Sequence, residues 1–331
     1  MSDLTSAPTD GAAIGLDHVG IVGADLDVLA RAFAALGFNL TAQATHASGR
    51  TANRCVMLRD ASYLELMATV PGQSSATLDR FLARGPGAHI LALEVADEAA
   101  ALNRLRRAGI ESEVSATERV ADQHGTKARF ALIMPPDPPE GRMLLIRHLT
   151  RDLLWRPDTV VHPNHAVALI EAVYATDAPA ETMARLSRLA GRPAEPDPLG
   201  GYRIPLSRGC LRILPHAVAA ELFPEMADGP SLIGLTIAVE AVTGAPQEIT
   251  GEISHAAPGK GTPGRPADER PNNEWPTGGW PPARRASAGQ MTIGEIATAQ
   301  ATAGQPASGG TPIGRATHAG GVVIRWIVGS V

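Results

Sequence analysis

Leu16-Asp17-His18-Val19-Gly20-Ile21-Val22 is the stretch that decides the fold. It is a short apolar run rich in β-branched residues, which predicts a strand, and a histidine lies near its start. Asp25 stands where a helix N-cap is expected, and apolar residues at helical spacing follow it up to Gly37. Three short strand patterns come next, and the last covers Tyr63 to Met67. This order of elements defines a βαβββ unit.

The same order recurs further along the chain. A second unit opens with a strand from His89 to Val95 and a helix from Glu98 to Ala108. A third opens at His165 to Val173, and a fourth at Leu232 to Val239. Because one supersecondary unit repeats, the sequence predicts an α+β protein in which βαβββ modules pair into two tandem domains.

The composition sets the expected domain boundaries. Residues 1–14 are expected to be a disordered tail, 15–150 a first domain, 151–162 a linker, and 163–331 a second domain with a degenerate last module. Residues 242–321 are rich in Gly, Pro, Ala, Thr and Arg, which predicts a long loop or disorder. A genuine insert and an out-of-frame stretch would both give this composition. The run from Gly321 to Ile327 is expected to supply the last strand of the fourth unit.

Charge and length exclude several classes of function. The chain has 331 residues and a formal net charge of -5, so nucleic acid is not an expected partner. Two cysteines are too few for a disulfide framework. No apolar run approaches the roughly 20 residues of a membrane span, and the first thirteen residues do not resemble a signal peptide. The sequence predicts a cytoplasmic protein with no membrane partner, and a homodimer is left open.

The repeated units resemble the vicinal oxygen chelate superfamily, which includes glyoxalase I, extradiol dioxygenases and bleomycin-resistance proteins. The resemblance rests on Leu16 to Gly20, Tyr63 to Leu66 and His89 to Val95, and the stretch from His46 to Met67 looks most like glyoxalase-like domain proteins. It covers residues 15–155 well and 163–240 loosely. It implies that paired modules form an open half-barrel around a divalent metal, with ligands from the first and fourth strands of each module.

Carried over residue by residue, the resemblance implies that His18, Glu65 and His89 bind the metal. The fourth position is assigned to Arg147, whose guanidinium cannot ligate a metal. Two imidazoles and one carboxylate form a triad suited to iron(II), manganese or zinc. With no second carboxylate in the set, the catalytic proton acceptor is expected to be Glu65 itself.

The same set suggests how a substrate is held. Arg147 suits a substrate carboxylate or phosphate, and Asn53 and Arg54 are expected at the mouth of the pocket, although solvated turn positions are also typical of such residues. Alternation along the strand points His148 away from the face that carries Arg147. An ion pair between Glu65 and Arg147 would instead leave a metal-free pocket.

Two functions follow from the resemblance. The first is a metal-dependent glyoxalase-like enzyme, either a lyase, an isomerase or a ring-cleaving dioxygenase, acting on a small oxygen-rich substrate. The second is a non-catalytic protein that binds or sequesters a small molecule, as bleomycin-resistance proteins do. Convergence of His18, Glu65 and His89 would favour the first.

Overall fold

The computed structural model describes residues 10–120, 126–223, 231–240, 311–319 and 322–328. Residues 1–9 of the expected tail, and residues 242–310 and 320–321 of the expected loop, lie outside this range. Within it, no helix is long and apolar enough to cross a membrane.

The first two modules form as the sequence pattern predicts. The first comprises β1 (Ala13–Val22), α1 (Leu26–Ala35), β2 (Ala44–Thr45), β3 (Thr51–Met57) and β4 (Tyr63–Thr69). Helix α2 (Ala76–Leu82) connects it to β5 (Gly87–Val95), α3 (Glu98–Arg107), β6 (Glu113–Val120), β7 (Lys127–Met134) and β8 (Arg142–His148). The Asp25 carboxylate caps α1 by accepting from the backbone N–H groups of Asp27 and Val28, and Asp97 caps α3 by accepting from Ala100.

These strands form one continuous open sheet in the order β2-β3-β4-β1-β5-β8-β7-β6. Strands β1 and β5 pair antiparallel at its centre, and β4 and β8 run parallel to them on either side. Helices α1 and α3 bury Phe33 and Leu105 against one face, together with Val19 and Leu66 from the strands. The opposite face carries His18 and is called here the site face. Its buried apolar side chains form a cluster separate from the one under the helices.

The third and fourth modules repeat part of this arrangement. They comprise β9 (Ala166–Thr176), α4 (Pro179–Ala190), β10 (Glu195–Pro196), β11 (Tyr202–Pro205), β12 (Cys210–Pro215), α5 (His216–Leu222), β13 (Leu232–Val239), β14 (Thr311–Ala319) and β15 (Val322–Val328). Strand β9 pairs antiparallel with β13 as β1 does with β5, and β15 pairs parallel with β13 as β8 does with β5. The α+β class with an open sheet is thereby confirmed, and the expected last strand is present.

Strand β14 corrects one prediction. Residues 311–319 fall in the stretch expected to be loop or disorder, but their backbone pairs antiparallel with β15 from Thr311 to Ala319. Composition missed this strand because its hydrogen bonds come from a neighbouring strand and need no apolar periodicity.

The expected linker packs onto the first sheet. After a 3-10 turn (Arg151–Leu153), Leu154 and Trp155 join the apolar cluster of the site face. Further on, the His162 Nε2–H donates to the carbonyl oxygen of Met57 at 2.8 Å, and its Nδ1 accepts from the backbone N–H of Asn39 at 3.1 Å. These contacts fix the segment against the first two modules.

Candidate functional site

Three polar side chains from adjacent strands meet on the site face. Strand alternation places His18 of β1, Glu65 of β4 and Asn53 of β3 on this face, and all three are buried. The strand register brings them together. Glu65 pairs with Gly20 on one side, two residues after His18, and with Cys55 on the other side, two residues after Asn53.

The Glu65 carboxylate lies between two imidazoles. Its Oε2 is 3.6 Å from Nε2 of His18, and its Oε1 is 3.4 Å from Nε2 of His46. The Asn53 amide donates to the same Oε1. Only 7% of Glu65 is exposed, so these neighbours replace water around the carboxylate.

His46 was not predicted as a site residue. It lies just after the edge strand β2, in a turn where no apolar periodicity marks one face, so its sequence carried no signal of its own. Its Nδ1 is 2.8 Å from the Thr51 hydroxyl, which directs Nε2 towards Glu65. About a third of the His46 side chain is exposed, compared with 6% of that of His18, so His46 forms the outer edge of the site.

Asp17 supports His18 from behind. Leu16 pairs with Leu93 and His18 with Ala92, so Asp17 is the extra residue of a β-bulge. Its carboxylate accepts from Nδ1 of His18 at 2.8 Å, and the ring of His18 stacks on Tyr63 with centroids 4.4 Å apart. The histidine is therefore held on one edge and on one face.

The Asp17 carboxylate also contacts a second histidine. Its Oδ1 accepts from Nε2–H of His148 at 3.2 Å, Oδ2 lies 3.0 Å from the same nitrogen, and the carboxylate itself is fully buried. Burial alone would raise the pKa of Asp17, but the adjacent His148 and His18 imidazoles hold that pKa well below its ordinary range. His148 thus lies on the site face, on the opposite side of β8 from Arg147, as alternation predicts.

The structure does not bring His89 to Glu65. Gly20 pairs with Ile90 and Ile21 with Ala88, so His89 is the bulge residue of β5. Asp17 is the bulge residue of β1 and His89 is the bulge residue of β5, so these two residues occupy equivalent positions in the two modules. The residue equivalent to His18 is therefore Ile90. Because His18 pairs with Ala92, three residues further on, about 10 Å of strand separates the two histidines.

His89 has other contacts of its own. Its Nε2–H donates to the carbonyl oxygen of Gly85 at 2.8 Å, and its ring stacks on Phe81 with centroids 5.0 Å apart. Burial, the largest effect, lowers the pKa of His89 to about 4, and the positive charge of Arg84 acts in the same direction. The buried ring is therefore neutral at neutral pH.

The two predicted arginines also lie away from the site. Arg147 donates to Glu98 at the start of α3 with an N–O distance of 2.6 Å, so it does not form the ion pair with Glu65 that was considered as the alternative to a metal. Arg54 lies on the helix face of β3, where its Nη2 is 3.8 Å from Asp27. The β8 residue at the position equivalent to Glu65 is Leu144, which pairs with Ala92. Arg147 lies three residues further along β8, so it does not occupy the fourth-ligand position.

The side chains present do not fit the predicted metal. Ile90 and Leu144, at the second module's positions, have no ligating atom, and His89 is bound elsewhere. In the part of the chain that the structure describes, no three His, Cys, Asp or Glu side chains are grouped so as to hold a metal ion. We therefore derive no chemical step through a metal.

Comparison with known proteins agrees with this architecture. A family model described as "Glyoxalase-like domain" matches residues 16–190, which is more than half of the chain. A solved structure of a hypothetical protein from Staphylococcus aureus is similar with a TM-score of 0.54 at 14% identity, covering 70% of this chain and 93% of that one. This similarity supports the fold alone.

Two further solved structures are similar at lower scores. A mutant of 4-hydroxymandelate synthase from Streptomyces coelicolor has 15% identity and a TM-score of 0.49, covering 70% of this chain and 72% of that one. Methylmalonyl-CoA epimerase from Mycobacterium tuberculosis has 28% identity and a TM-score of 0.32, covering 44% of this chain and 91% of that one. No curated protein matches the sequence.

Proposed function

The chain belongs to the glyoxalase-like domain family of the vicinal oxygen chelate superfamily, and on that premise we propose that it is an enzyme that moves a proton on a small, oxygen-bearing substrate. The substrate binds at the site face, and Glu65 accepts the proton. The fold and the sequence family agree with the resemblance seen in the opening strand.

The position of Glu65 is the observation that carries the proposal. A carboxylate that is 7% exposed and has imidazole nitrogens at 3.4 and 3.6 Å is placed to exchange a proton with groups beside it. The Asn53 amide holds Oε1, so Oε2 is the oxygen better placed to accept from a substrate. Abstraction of a proton next to a carbonyl by Oε2 is the chemistry that this arrangement supports.

From the positions of Arg147 and Arg54 we infer a neutral substrate. Arg147 was expected to hold a carboxylate or phosphate and Arg54 to lie at the mouth of the pocket, but they contact Glu98 and Asp27 on the other face of the sheet. An anionic substrate beside the Glu65 carboxylate would meet a like charge at short range in a poorly solvated site. Hydroxyketones and hydroxyaldehydes fit better than hydroxy acids.

Hydrogen–deuterium exchange tests this proposal whatever the final product of the reaction is. The protein is incubated in D2O with hydroxyacetone and dihydroxyacetone, with lactate and glycerate as anionic counterparts, and loss of the C–H signal is followed by NMR. We expect exchange of the neutral compounds, and a decrease of about 100-fold or more in Glu65→Gln, because the amide is not a base. Glu181→Gln, at a carboxylate whose side chain is 76% exposed, is the matched control.

Two results would contradict the proposal. Exchange by Glu65→Gln at the rate of the unchanged protein would show that Glu65 is not the base. Saturable binding of the neutral compounds with no exchange, equal in both proteins, would support the non-catalytic binding protein instead. Metal analysis of the purified protein accompanies the assay, and a stoichiometric metal that is lost in His18→Gln would revive the metal-dependent enzyme.

A further inference from the structure

The carboxylate of Asp17 bridges two buried imidazoles and is not among the residues expected from the sequence to form the site. Its oxygens lie 2.8 Å from Nδ1 of His18 and 3.0 Å from Nε2 of His148. Its own side chain is fully buried, and those of the two histidines are 6% and 1% exposed. A buried carboxylate with such partners keeps them in one orientation.

The contact with Asp17 determines which nitrogen of His18 carries the proton. A carboxylate is an acceptor only, so Nδ1 is the protonated nitrogen and Nε2 of the neutral ring has a free lone pair. That lone pair lies 3.6 Å from Oε2 of Glu65. Because Nε2 of this tautomer has no proton of its own, it can accept one from the Glu65 carboxyl group.

We propose that Asp17 is a positioning residue that holds His18 as the second proton carrier of the site, an inference that rests on the proposed function of Glu65. The substrate C–H bond breaks, its electron pair stays on the substrate as an enediolate, and the proton goes to Oε2 of Glu65. The proton then passes to Nε2 of His18, and the resulting imidazolium is stabilised by Asp17. Return of a proton from Glu65 and His18 to the neighbouring carbon, with the substrate's hydroxyl proton moving to the former carbonyl oxygen, completes an isomerisation without any further reactant. While it is held on these two side chains the abstracted proton exchanges with solvent, which is what the deuterium assay detects.

His148 holds the other side of this arrangement. Its Nε2–H points to Asp17, and aromatic rings surround the imidazole, with centroids 4.9 Å away for Trp155 and 5.1 Å for Phe130. His148 therefore fixes the carboxylate, and the carboxylate fixes His18. The bulge at Asp17 makes this geometry accessible, because it turns two consecutive residues of β1 towards the same side.

The tautomer of His18 tests the proposal directly. Two-bond 1H–15N correlation spectra of protein labelled at histidine report which ring nitrogen is protonated, and the His18 signals are identified by their absence in His18→Gln. We expect the Nδ1–H form in the unchanged protein. In Asp17→Asn the amide can donate to Nδ1, so we expect a switch to Nε2–H and an exchange rate lower by about 10²- to 10⁴-fold. Asp158→Asn, at an exposed carboxylate, is expected to change neither.

The outcomes separate this inference from the proposed function. A proton on Nε2 of His18 in the unchanged protein, or an unchanged tautomer in folded Asp17→Asn, overturns the positioning role; the first measurement does not depend on the folding of Asp17→Asn. If the tautomer switches as expected while Glu65→Gln exchanges normally, Asp17 still positions His18, and the role assigned to Glu65 is wrong.

Discussion

Removal of Asp197 should show that a buried ion pair stabilises the third module. Arg212 of β12 pairs with Val173 of β9, two residues beyond the pair formed by Cys210 and Glu171. In the first module, Glu65 pairs with Gly20, two residues beyond His18. Arg212 therefore occupies the position that Glu65 has in the first module. The Arg212 guanidinium donates to both Asp197 oxygens, at 2.6 and 2.9 Å. The carboxylate is 0% and the guanidinium side chain 11% exposed.

The expected loss of stability follows from this burial. Removing one partner of a buried, doubly hydrogen-bonded pair leaves the other charge uncompensated, which typically costs about 3–5 kcal/mol of unfolding free energy. We expect this loss for Asp197→Leu at pH 7. The double variant Asp197→Leu with Arg212→Met should recover most of it, because no isolated charge remains. Asp158→Leu removes the partner of exposed Arg156 and should change the unfolding free energy by less than about 1 kcal/mol.

The pH dependence of the unfolding free energy is a second test of the ion pair between Asp197 and Arg212. Burial alone would raise the pKa of Asp197, but the hydrogen bonds from Arg212 and from the backbone of Leu199 lower it on balance. A carboxyl whose pKa is lower in the folded state stabilises the fold above its unfolded value of 3.8, and that contribution is lost as the pH falls further. Urea unfolding followed by far-UV circular dichroism measures both effects. A loss below about 1 kcal/mol in Asp197→Leu at pH 7 would refute the argument.

Two further substitutions test other parts of the structure. Arg104 donates to the carbonyl oxygen of Gly11 at 3.0 Å and to two carbonyl oxygens at the C-terminal end of α4 at 2.7 and 2.6 Å. Arg104→Met should therefore lower the free energy of unfolding, measured in urea, by about 2–4 kcal/mol. The exposed control Arg106→Met should lower it by less than about 0.5 kcal/mol. His89, whose pKa is about 4 in the fold compared with an ordinary 6.5, stays neutral while the unfolded chain binds a proton, so stability falls as the pH decreases from 6.5 towards 4. His89→Phe should flatten that part of the curve and leave deuterium exchange intact; loss of exchange in a folded variant would return His89 to the site.

The sequence by itself determined most of the elements and their order, but not α5 or β14. Periodicity located both module helices and all of the opening strands, and Asp25 caps α1 as its position before the apolar repeat predicts. The final strand near Val322 was also expected, because a run of consecutive apolar residues resumes there after a long stretch dominated by Gly, Pro, Ala, Thr and Arg. These features are local, so the pattern of nearby residues is enough to specify them. The family resemblance assigned His18 and Glu65 to strands of one module, and in the structure Nε2 of His18 lies 3.6 Å from Oε2 of Glu65.

The tertiary structure decided which residues share the site. One bulge in β1 and another in β5 shift the register, so the histidine that looked equivalent to His18 is the counterpart of Asp17. A shift of one residue moves a side chain to a different environment, and the sequence has no marker for it. His46 and Trp155 reach the site face from a turn and a connector, where no periodic pattern assigns a face. Backbone pairing between distant segments set these positions, and it is the reason that the Asp17–His18–Glu65 arrangement became visible only in the folded chain.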